Sequence, residues 1–325
     1  MRRKLCFELA RVTETAALAA APWIGKGNMN AVDGAAVDAM RFVLNSLEIR
    51  GEVVIGEGAK DKAPMLYNGE VIGNNKQFKV DIAVDPVEGT RLVAKGLSNA
   101  LSIIALAKKG CLLKAPDMYM YKIAVGPEAK GAIDINATPA DNLIAVAKAK
   151  DKKIDDMTVV VLDRPRHKEI ITELYKKGAR IKLISDGDVA AGISTALSDT
   201  GIDMLIGIGG APEGVLTAAA LKCLGGYMQT KLLPKDENEI KRAKMMGIED
   251  IDKIYTIDDL VKGEDIIFTA TGITGGELLD KVVYNGNQAA TNSLLLDGLN
   301  KEVLRINTLH NLDENKIKVK VNKIG

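Results

Sequence analysis

The feature that most constrains the fold is a regular alternation of strands and helices in the second half of the chain. Short apolar runs typical of buried strands occur at "TVVVLD", "RIKLISD" and "DMLIGIGG". Each is followed by a segment with helical spacing of its apolar residues, at "HKEIITELYKKG", "VAAGISTALSD" and "EGVLTAAALKCLGG". Since strands that alternate with helices form parallel βαβ units, the sequence predicts a layered α/β protein. A ligand is then expected where the ends of the strands converge.

The first part of the chain predicts helices and strands in a less regular order. Apolar residues at the helical period predict a helix over residues 33–47, with Asp33 at or near its N-terminus. Strands are predicted at "EVVIGEG", "FKVDIAVD" and "ALSIIALAK", and near the end of the chain at "DIIFTATGITGG" and "SLLLDG". In "TPADNLIAVAKAK", Thr138 is suited to cap a helix. The polar segment "DKKIDDM" that follows predicts a boundary between two lobes, residues 1–150 and residues 151–325.

Charge balance and cysteine content exclude some classes of partner and compartment. The 325 residues include 44 Lys and Arg and 43 Asp and Glu, without a long run of one sign, so nothing predicts a nucleic-acid groove. No segment approaches the ~18 consecutive apolar residues of a membrane span. The three cysteines, Cys6, Cys111 and Cys223, are far apart and not in metal-ligand spacing, which predicts a reducing compartment and hence the cytoplasm. Glu8 and Glu14 interrupt the apolar N-terminal stretch and favour an amphipathic helix over a signal peptide.

Carboxylates recur where predicted elements begin or end. Asp33 lies near a helix start, Glu57 follows "VVIG", Asp85 and Glu88 follow "VDIAV", and Glu213 follows "LIGIGGAP". A carboxylate at the end of a buried strand costs free energy unless it is paired or bound to metal, and several together repel one another. Because all of these groups are hard oxygen ligands without a nearby His or Cys, they favour Mg²⁺ or Mn²⁺ over zinc.

The segment "DPVEGT" is the most specific of these candidates. Any single acid, Asp33 for example, is explained better as an exposed turn residue or a helix cap than as a metal ligand. In "DPVEGT", however, two carboxylates and a hydroxyl fall within six residues, and Gly89 permits an unusual backbone just before Thr90. With Pro86 predicted to end the strand, this segment predicts a metal-binding loop joined to a hydroxyl, and capping of the next helix remains an additional role for Thr90.

Three later segments have features that favour anion or sugar binding. "LDRPRH" places two arginines beside a strand end, where they can hold a phosphate group bidentately. "SDGDVAAG" leads from a strand into a helix through acidic residues suited to sugar hydroxyls, and "GIGGAPEG" places glycines before a helix N-terminus. Each segment alone is explained as well by a surface turn, and "GIGGAP" alone also resembles a dinucleotide loop. Their shared position at predicted strand ends favours one common site.

The chain resembles the class II fructose-1,6-bisphosphatases, the GlpX family. The resemblance rests on "GEG", "DPVEGT", "YMYKIAVGP", "LDRPRH", "DGDV" and "GIGGAPEGVLTAAALKCLGGYMQ", which occur in order between "DGAAVDAMR" and "FTATGITGG". It implies an αβαβα sugar-phosphatase fold of the inositol monophosphatase type with two lobes. It also implies metal-dependent hydrolysis of the 1-phosphate of fructose 1,6-bisphosphate to fructose 6-phosphate and phosphate, in gluconeogenesis.

Site residues follow from the resemblance by matching motifs. The implied metal ligands are Asp33, Glu57, Asp85, Glu88 and Glu213, for Mn²⁺ or Mg²⁺. The implied substrate contacts are Glu88, Gly89, Thr90, Tyr119, Arg164, Pro165, Arg166, Asp186, Gly187, Asp188 and Gly210. The implied catalytic pair is Asp61 and Thr90, with either a water molecule or Thr90 as the nucleophile.

One departure from the family pattern lies before the first metal aspartate. The family usually reads "GDKN" there, and this chain reads "GNMN", so Asn28 and Met29 replace an acid and a lysine and any ionic role is lost. The expected partner is a sugar bisphosphate, and the chain is expected to form a homo-oligomer, a dimer or a tetramer. Alternative functions are a sedoheptulose 1,7-bisphosphatase or other sugar or inositol phosphatase, a non-catalytic sugar-phosphate sensor, and a nucleotide-dependent oxidoreductase. The last lacks the acidic residue expected after a second strand.

Overall fold

A computed structural model describes residues 2–58, 65–74 and 78–312 of the chain. The helices are α1 (Arg2–Ala20), α2 (Met29–Leu44), α3 (Thr90–Lys95), α4 (Pro139–Ala149), α5 (Lys168–Lys176), α6 (Asp188–Ser194), α7 (Ala211–Leu224), α8 (Glu237–Met245) and α9 (Ile257–Leu260). The strands are β1 (Arg50–Ile55), β2 (Val71–Ile72), β3 (Lys79–Glu88), β4 (Leu101–Lys108), β5 (Tyr119–Val125), β6 (Thr158–Leu162), β7 (Arg180–Ile184), β8 (Met204–Gly210), β9 (Tyr227–Leu233), β10 (Ile254–Thr256), β11 (Ile266–Gly272), β12 (Val283–Asn285), β13 (Gln288–Asp297) and β14 (Glu302–Asn311). This composition of helices and strands confirms the α/β class. None of the helices within the described residues combines the length and the apolar character needed to cross a membrane.

The chain forms two compact units, and their boundaries differ from the predicted division at residue 150. The first unit combines residues 1–109, 267–297 and 302–325, and the second combines residues 110–266 and 298–301. The polar segment that predicted the boundary instead connects α4 to β6 inside the second unit. Composition marked an exposed connection within one unit, whereas the return of the C-terminal strands to the first sheet depends on long-range pairing that composition does not show.

The first unit is built on one sheet with two long helices packed against it. Among the described strands the sheet has the order β12-β13-β11-β4-β3-β1-β2, and β14 pairs with β13. The central strand β3 runs parallel to β1 and antiparallel to β4. Helices α1 and α2 pack on each other, and their apolar faces form one hydrophobic cluster with β1, β3 and β4. This core fixes the end of β3, where two of the predicted metal ligands lie.

The second unit is built on a sheet with the order β10-β9-β5-β8-β6-β7. Strand β6 pairs in parallel with both β7 and β8, which confirms the βαβ units predicted from the sequence. Strand β5 lies antiparallel between β8 and β9 and completes the sheet. The alternating pattern did not predict this insertion, because β5 comes from an earlier part of the chain.

Two predicted helix starts have different outcomes. Thr138 caps α4, because its hydroxyl accepts a hydrogen bond from the backbone N–H of Asp141 at 3.1 Å. Helix α2 begins four residues before Asp33, at Met29, so Asp33 lies near the helix start, in the second turn, and not at the first residue. Asn28 caps α2 by accepting a hydrogen bond from the backbone N–H of Ala31 at 3.1 Å. An aspartate at this position would accept the same bond, so the departure at Asn28 preserves the helix start.

Candidate active site

Strand β3 continues through Pro86 and ends at Glu88, so the prediction that Pro86 ends the strand is wrong. The register between β3 and β4 shifts between Asp85 and Glu88, which is where Pro86 lacks the N–H that a regular ladder needs. The Asp85 carboxylate accepts a hydrogen bond from the backbone N–H of Val87 at 3.0 Å. Both carboxylates are therefore placed by an irregular strand end that is itself held in the first sheet.

Gly89 joins β3 to α3 in a conformation that requires glycine. Its φ is +87°, in the left-handed region. A Cβ atom at this position would lie 2.7 Å from Cδ1 of Leu92. The tight connection makes Thr90 the first residue of α3 and brings its hydroxyl next to the end of β3.

The hydroxyl of Thr90 is bound to a predicted metal ligand. Its Oγ1 donates a hydrogen bond to Oδ1 of Asp33 at 2.6 Å and also lies 3.2 Å from the carbonyl oxygen of Val87. The capping position of α3 belongs to Gly89, so the additional capping role predicted for Thr90 is wrong. The hydroxyl donates a hydrogen bond to a carboxylate and accepts none from the backbone N–H groups that begin α3.

Asp33, Glu57, Asp85 and Glu88 form a four-carboxylate cluster in the first unit. Burial raises the pKa of Asp85 to about 6, and the negative charge of Asp33 adds to the rise, while hydrogen bonds with Glu88 and Val87 oppose it. Desolvation by the surrounding protein raises the pKa of Glu57 to about 7, and the charges of Asp85 and Asp33 raise it further. Burial also raises the pKa of Asp33, against the hydrogen bond from Thr90. Charge repulsion therefore links Asp33, Glu57 and Asp85, and a hydrogen bond links Asp85 to Glu88.

The chemistry of the cluster fits a divalent cation. Within the described residues, no Lys or Arg lowers the pKa of Asp33, Glu57 or Asp85, so the negative charges are not offset by an ion pair with the protein. All donors are carboxylate oxygens, which hard cations such as Mg²⁺ and Mn²⁺ prefer. Asp61, the second predicted catalytic residue, lies outside the described residues.

Tyr119, the first residue of β5, has two cationic side chains over its ring. The guanidinium of Arg166 lies 4.7 Å from the centre of the Tyr119 ring, and the ammonium of Lys235 lies 4.6 Å from it. Arg164 lies 3.5 Å from Asp186 in an ion pair that joins two predicted substrate segments. Two cations on one aromatic ring, with a third close by in sequence, form a surface suited to an anion.

Pro165 begins a single 3-10 turn, Pro165–His167, that is fixed to β8. Arg166 donates two hydrogen bonds to the carbonyl oxygen of Ile208, at 3.1 and 2.8 Å. His167 is fully buried, with Nδ1 2.7 Å from the carbonyl oxygen of Leu162, and its Nε2 accepts a hydrogen bond from the backbone N–H of Ile208 at 2.7 Å. Burial lowers the pKa of His167, which keeps the ring neutral with its proton on Nδ1. The turn therefore holds Arg166 rigidly against β8.

The predicted sugar-binding segment contains a buried ion pair. Gly187 has a φ of +74° and precedes α6, which begins at Asp188. Both carboxylate oxygens of Asp188 lie close to Nζ of Lys122, at 2.9 and 2.8 Å. Lys122 comes from the middle of β5, so it connects this segment to the centre of the sheet.

The glycines of "GIGGAPEG" provide space for polar side chains. A Cβ atom on Gly207 would lie 3.2 Å from Nε2 of His167, and one on Gly209 would collide with the carboxylate of Asp188. A Cβ atom on Gly210 would collide with the carboxylate of Glu213, which lies in the first turn of α7. These glycines were predicted as backbone for an anion loop, and the structure gives each of them a steric reason.

Sequence reasoning missed Lys122, His167 and Lys235. Lys122 had a detectable signal, because a lysine interrupts the apolar strand "YMYKIAV". His167 lies within the segment "LDRPRH", but no sequence pattern indicates that both nitrogens of its ring contact the backbone, at Leu162 and at Ile208. Lys235 follows β9 and meets Tyr119 only through the pairing of β9 with β5, which no local pattern predicts.

Comparisons with known proteins place the chain in one family. The family model described as bacterial fructose-1,6-bisphosphatase, glpX-encoded, matches residues 3–310. The chain is 48% identical over 326 aligned residues to fructose-1,6-bisphosphatase 1 class 2 of Escherichia coli (strain K12), with 96% of this chain and 97% of that protein covered. It is equally similar, at 48% identity over the same coverage, to fructose-1,6-bisphosphatase class 2 of Shigella flexneri.

Proposed function

Because the chain belongs to the bacterial, glpX-encoded family of fructose-1,6-bisphosphatases, we infer that it is a phosphatase that hydrolyses fructose 1,6-bisphosphate in gluconeogenesis. The products are fructose 6-phosphate and inorganic phosphate. The observation that carries this conclusion is 48% identity to a named class 2 enzyme across 96% of the chain. The four-carboxylate cluster is the chemical feature that a metal-dependent phosphatase requires.

We propose that Asp33, Glu57, Asp85 and Glu88 hold Mg²⁺ or Mn²⁺, with Glu213 as a further ligand. The raised pKa values of Asp85 and Glu57 support this assignment, because these carboxylates lack compensating charge among the described residues. A bound divalent cation would stabilise charge on the scissile phosphate and lower the pKa of a coordinated water.

The chain's own residues would orient the nucleophile. The hydroxyl of Thr90 is held 2.6 Å from Asp33, so its proton is directed at a carboxylate and a lone pair of its oxygen remains for a proton of an attacking water. Asp61, with Thr90, is proposed to complete the proton-handling pair. A direct attack by Thr90 on phosphorus is the alternative. The carboxylate of Asp33 would take the hydroxyl proton and return it to the sugar C1 oxygen as the bond from phosphorus to that oxygen breaks, and water would then hydrolyse the phosphothreonine.

We propose that the second unit binds the rest of the substrate. Arg164, Pro165, Arg166 and Tyr119 would contact a phosphate group, since the ring of Tyr119 lies beside cationic side chains. The segment from Asp186 to Asp188, together with Gly210, would bind sugar hydroxyls. In the first unit, Glu88, Gly89 and Thr90 would contact the reacting phosphate.

Location and assembly are also proposals. A cytoplasmic location is supported by the absence of a disulfide among the three cysteines, all of which lie within the described residues. A homo-oligomer, dimeric or tetrameric, is tested by light scattering of the purified chain at several concentrations.

The function is tested by measuring phosphate release from fructose 1,6-bisphosphate in chelator-treated buffer, with and without added Mn²⁺ or Mg²⁺. Metal-dependent release of one phosphate per substrate is expected. A panel with sedoheptulose 1,7-bisphosphate and inositol monophosphate tests the alternative phosphatase activities by comparing kcat/KM. Tight binding of fructose 1,6-bisphosphate with no release under any metal condition would refute hydrolysis and identify a sensor.

A further inference from the structure

A buried lysine lies beneath the proposed sugar-binding residues of the second unit. Lys122 occupies the middle of β5, and only 1% of its surface is exposed. Its Nζ lies 2.9 and 2.8 Å from the two carboxylate oxygens of Asp188 and donates a further hydrogen bond to the carbonyl oxygen of Gly210 at 3.3 Å. The ammonium therefore has two hydrogen bonds, to Oδ1 of Asp188 and to Gly210, and a close ion-pair contact with Oδ2 of Asp188.

The three groups connect the starts of two helices. Asp188 is the first residue of α6, and Gly210 immediately precedes α7. Lys122 reaches both from a strand that is paired on each side, with β8 and with β9. A rigid strand therefore sets the distance between the two helix starts.

Stability alone does not account for this arrangement. A buried ion pair contributes little net stability compared with an apolar pair of the same size, because both charges lose their hydration. The pair also demands a glycine at position 209, since a Cβ atom there would collide with the Asp188 carboxylate. The contact therefore requires a charged residue, Lys122, within the sheet and a glycine, Gly209, in the neighbouring strand β8.

Asp188 and Lys122 differ slightly in their exposure to solvent. The side chain of Asp188 is 6% exposed to solvent, and the side chain of Lys122 is 1% exposed. Of the two buried groups the carboxylate is the less enclosed, and it is the one that the proposed function assigns to the substrate. Oδ1 accepts a hydrogen bond from Lys122, and each carboxylate oxygen keeps a lone pair that can accept a hydrogen bond from a hydroxyl.

We propose that Lys122 is a positioning residue of the substrate site, which fixes the Asp188 carboxylate and the Gly210 carbonyl in the geometry that receives a sugar hydroxyl. This inference rests on the proposed function, because it takes Asp188 as a substrate contact. Lys122 itself does not touch the substrate. Its removal should weaken substrate binding through Asp188.

The test compares Lys122→Met, Asp188→Asn and the double variant in full-length protein with Mn²⁺. Lys122→Met is expected to raise KM for fructose 1,6-bisphosphate roughly tenfold or more with little change in kcat, the pattern of a lost hydrogen bond to a charged group that serves binding. Because Lys122 acts through Asp188, the double variant should have the same KM as Asp188→Asn. The double variant also contains no unpaired buried charge, so it remains informative if Lys122→Met fails to fold.

A second lysine–aspartate pair in the same unit provides a control. Lys152 pairs with the buried carboxylate of Asp203 at 2.8 and 2.9 Å, and Asp203 immediately precedes β8 at the end opposite Gly210. Lys152→Met should lower the melting temperature and leave KM unchanged. The inference is overturned if Lys122→Met leaves KM as unchanged as Lys152→Met does, or if the double variant has a KM well above that of Asp188→Asn. Absence of hydrolysis by the unmodified protein would instead overturn the proposed function.

Discussion

Substitution of Asp85 by Asn should abolish activity and at the same time stabilise the metal-free protein. Asn has almost the same shape as Asp, and its amide oxygen can still accept the hydrogen bond from the backbone N–H of Val87. Its amide nitrogen can donate to Glu88, the hydrogen-bond neighbour of Asp85. The substitution therefore removes a charge from the four-carboxylate cluster and keeps the local contacts.

The size of the effect follows from the pKa of Asp85. Burial raises this pKa from 3.8 to about 6, a difference of about 2 units, which corresponds to about 3 kcal/mol at 1.36 kcal/mol per unit. Since the folded state binds the proton more tightly than the unfolded state, this carboxylate lowers stability as pH rises from about 4 to about 6. The full penalty is present above pH 6 and is absent below pH 4. A figure of about 3 kcal/mol is an upper limit, because Asp85 is only half-buried.

The assay is thermal or denaturant unfolding of both proteins in chelator at pH 8 and at pH 4. Asp85→Asn should unfold at a higher temperature than the unmodified protein at pH 8, and the two should converge at pH 4. Adding Mn²⁺ should stabilise the unmodified protein by about 2.7 kcal/mol at 100 times the dissociation constant, and the variant much less. Asp38→Asn, an exposed acid on α2, is the control and should change nothing. The reasoning fails if Asp85→Asn destabilises the metal-free protein at pH 8, or if its effect is the same at both pH values.

Three further predictions concern single side chains. Thr90→Val keeps the shape and removes the hydroxyl, so kcat should fall by about two orders of magnitude or more while Thr90→Ser keeps most of the activity; near-normal turnover of the valine variant would remove this hydroxyl from the mechanism. Gly89→Ala should lower stability by roughly 1–3 kcal/mol in unfolding experiments, since its φ is +87° and the new methyl group meets Leu92; an unchanged melting temperature would contradict the steric argument. His167→Ala leaves the N–H of Ile208 without its acceptor and creates a cavity, so it should cost roughly 2–5 kcal/mol and raise KM through the displaced turn, whereas an unaltered KM in a folded variant would confine this histidine to a stability role.

The sequence predicted the parts of the site that lie close together along the chain. Asp85, Glu88 and Thr90 fall within six residues, so their convergence required only a strand end and a tight turn. The contact between Thr90 and Asp33 was not predicted, although both residues were candidates. It depends on the packing of α2 against β3, which a pattern of apolar residues indicates without specifying which polar groups will meet.

The second unit shows the same limit for a different physical reason. The parallel βαβ units were predictable, because each element carries its own periodicity. The ion pair between Lys122 and Asp188 was not, because it joins a strand and a helix separated by 66 positions and depends on the antiparallel insertion of β5. The glycines at 207 and 209 reflect neighbours that only the folded chain brings close.

The order in which the first sheet is assembled along the chain affects synthesis of the protein on the ribosome. Strand β4 lies between β3 and β11, and the whole continuous segment 110–266 of the second unit is translated between β4 and β11. Most of the second unit can therefore fold while β4 is still an unpaired edge strand of the incomplete first sheet. An unpaired edge of this kind is prone to bind other strands, and pairings of such long sequence separation form slowly. A chain that ends near residue 266 would contain most of the second unit but only strands β1 to β4 of the first sheet. Misassembly and proteolysis should begin at this incomplete sheet.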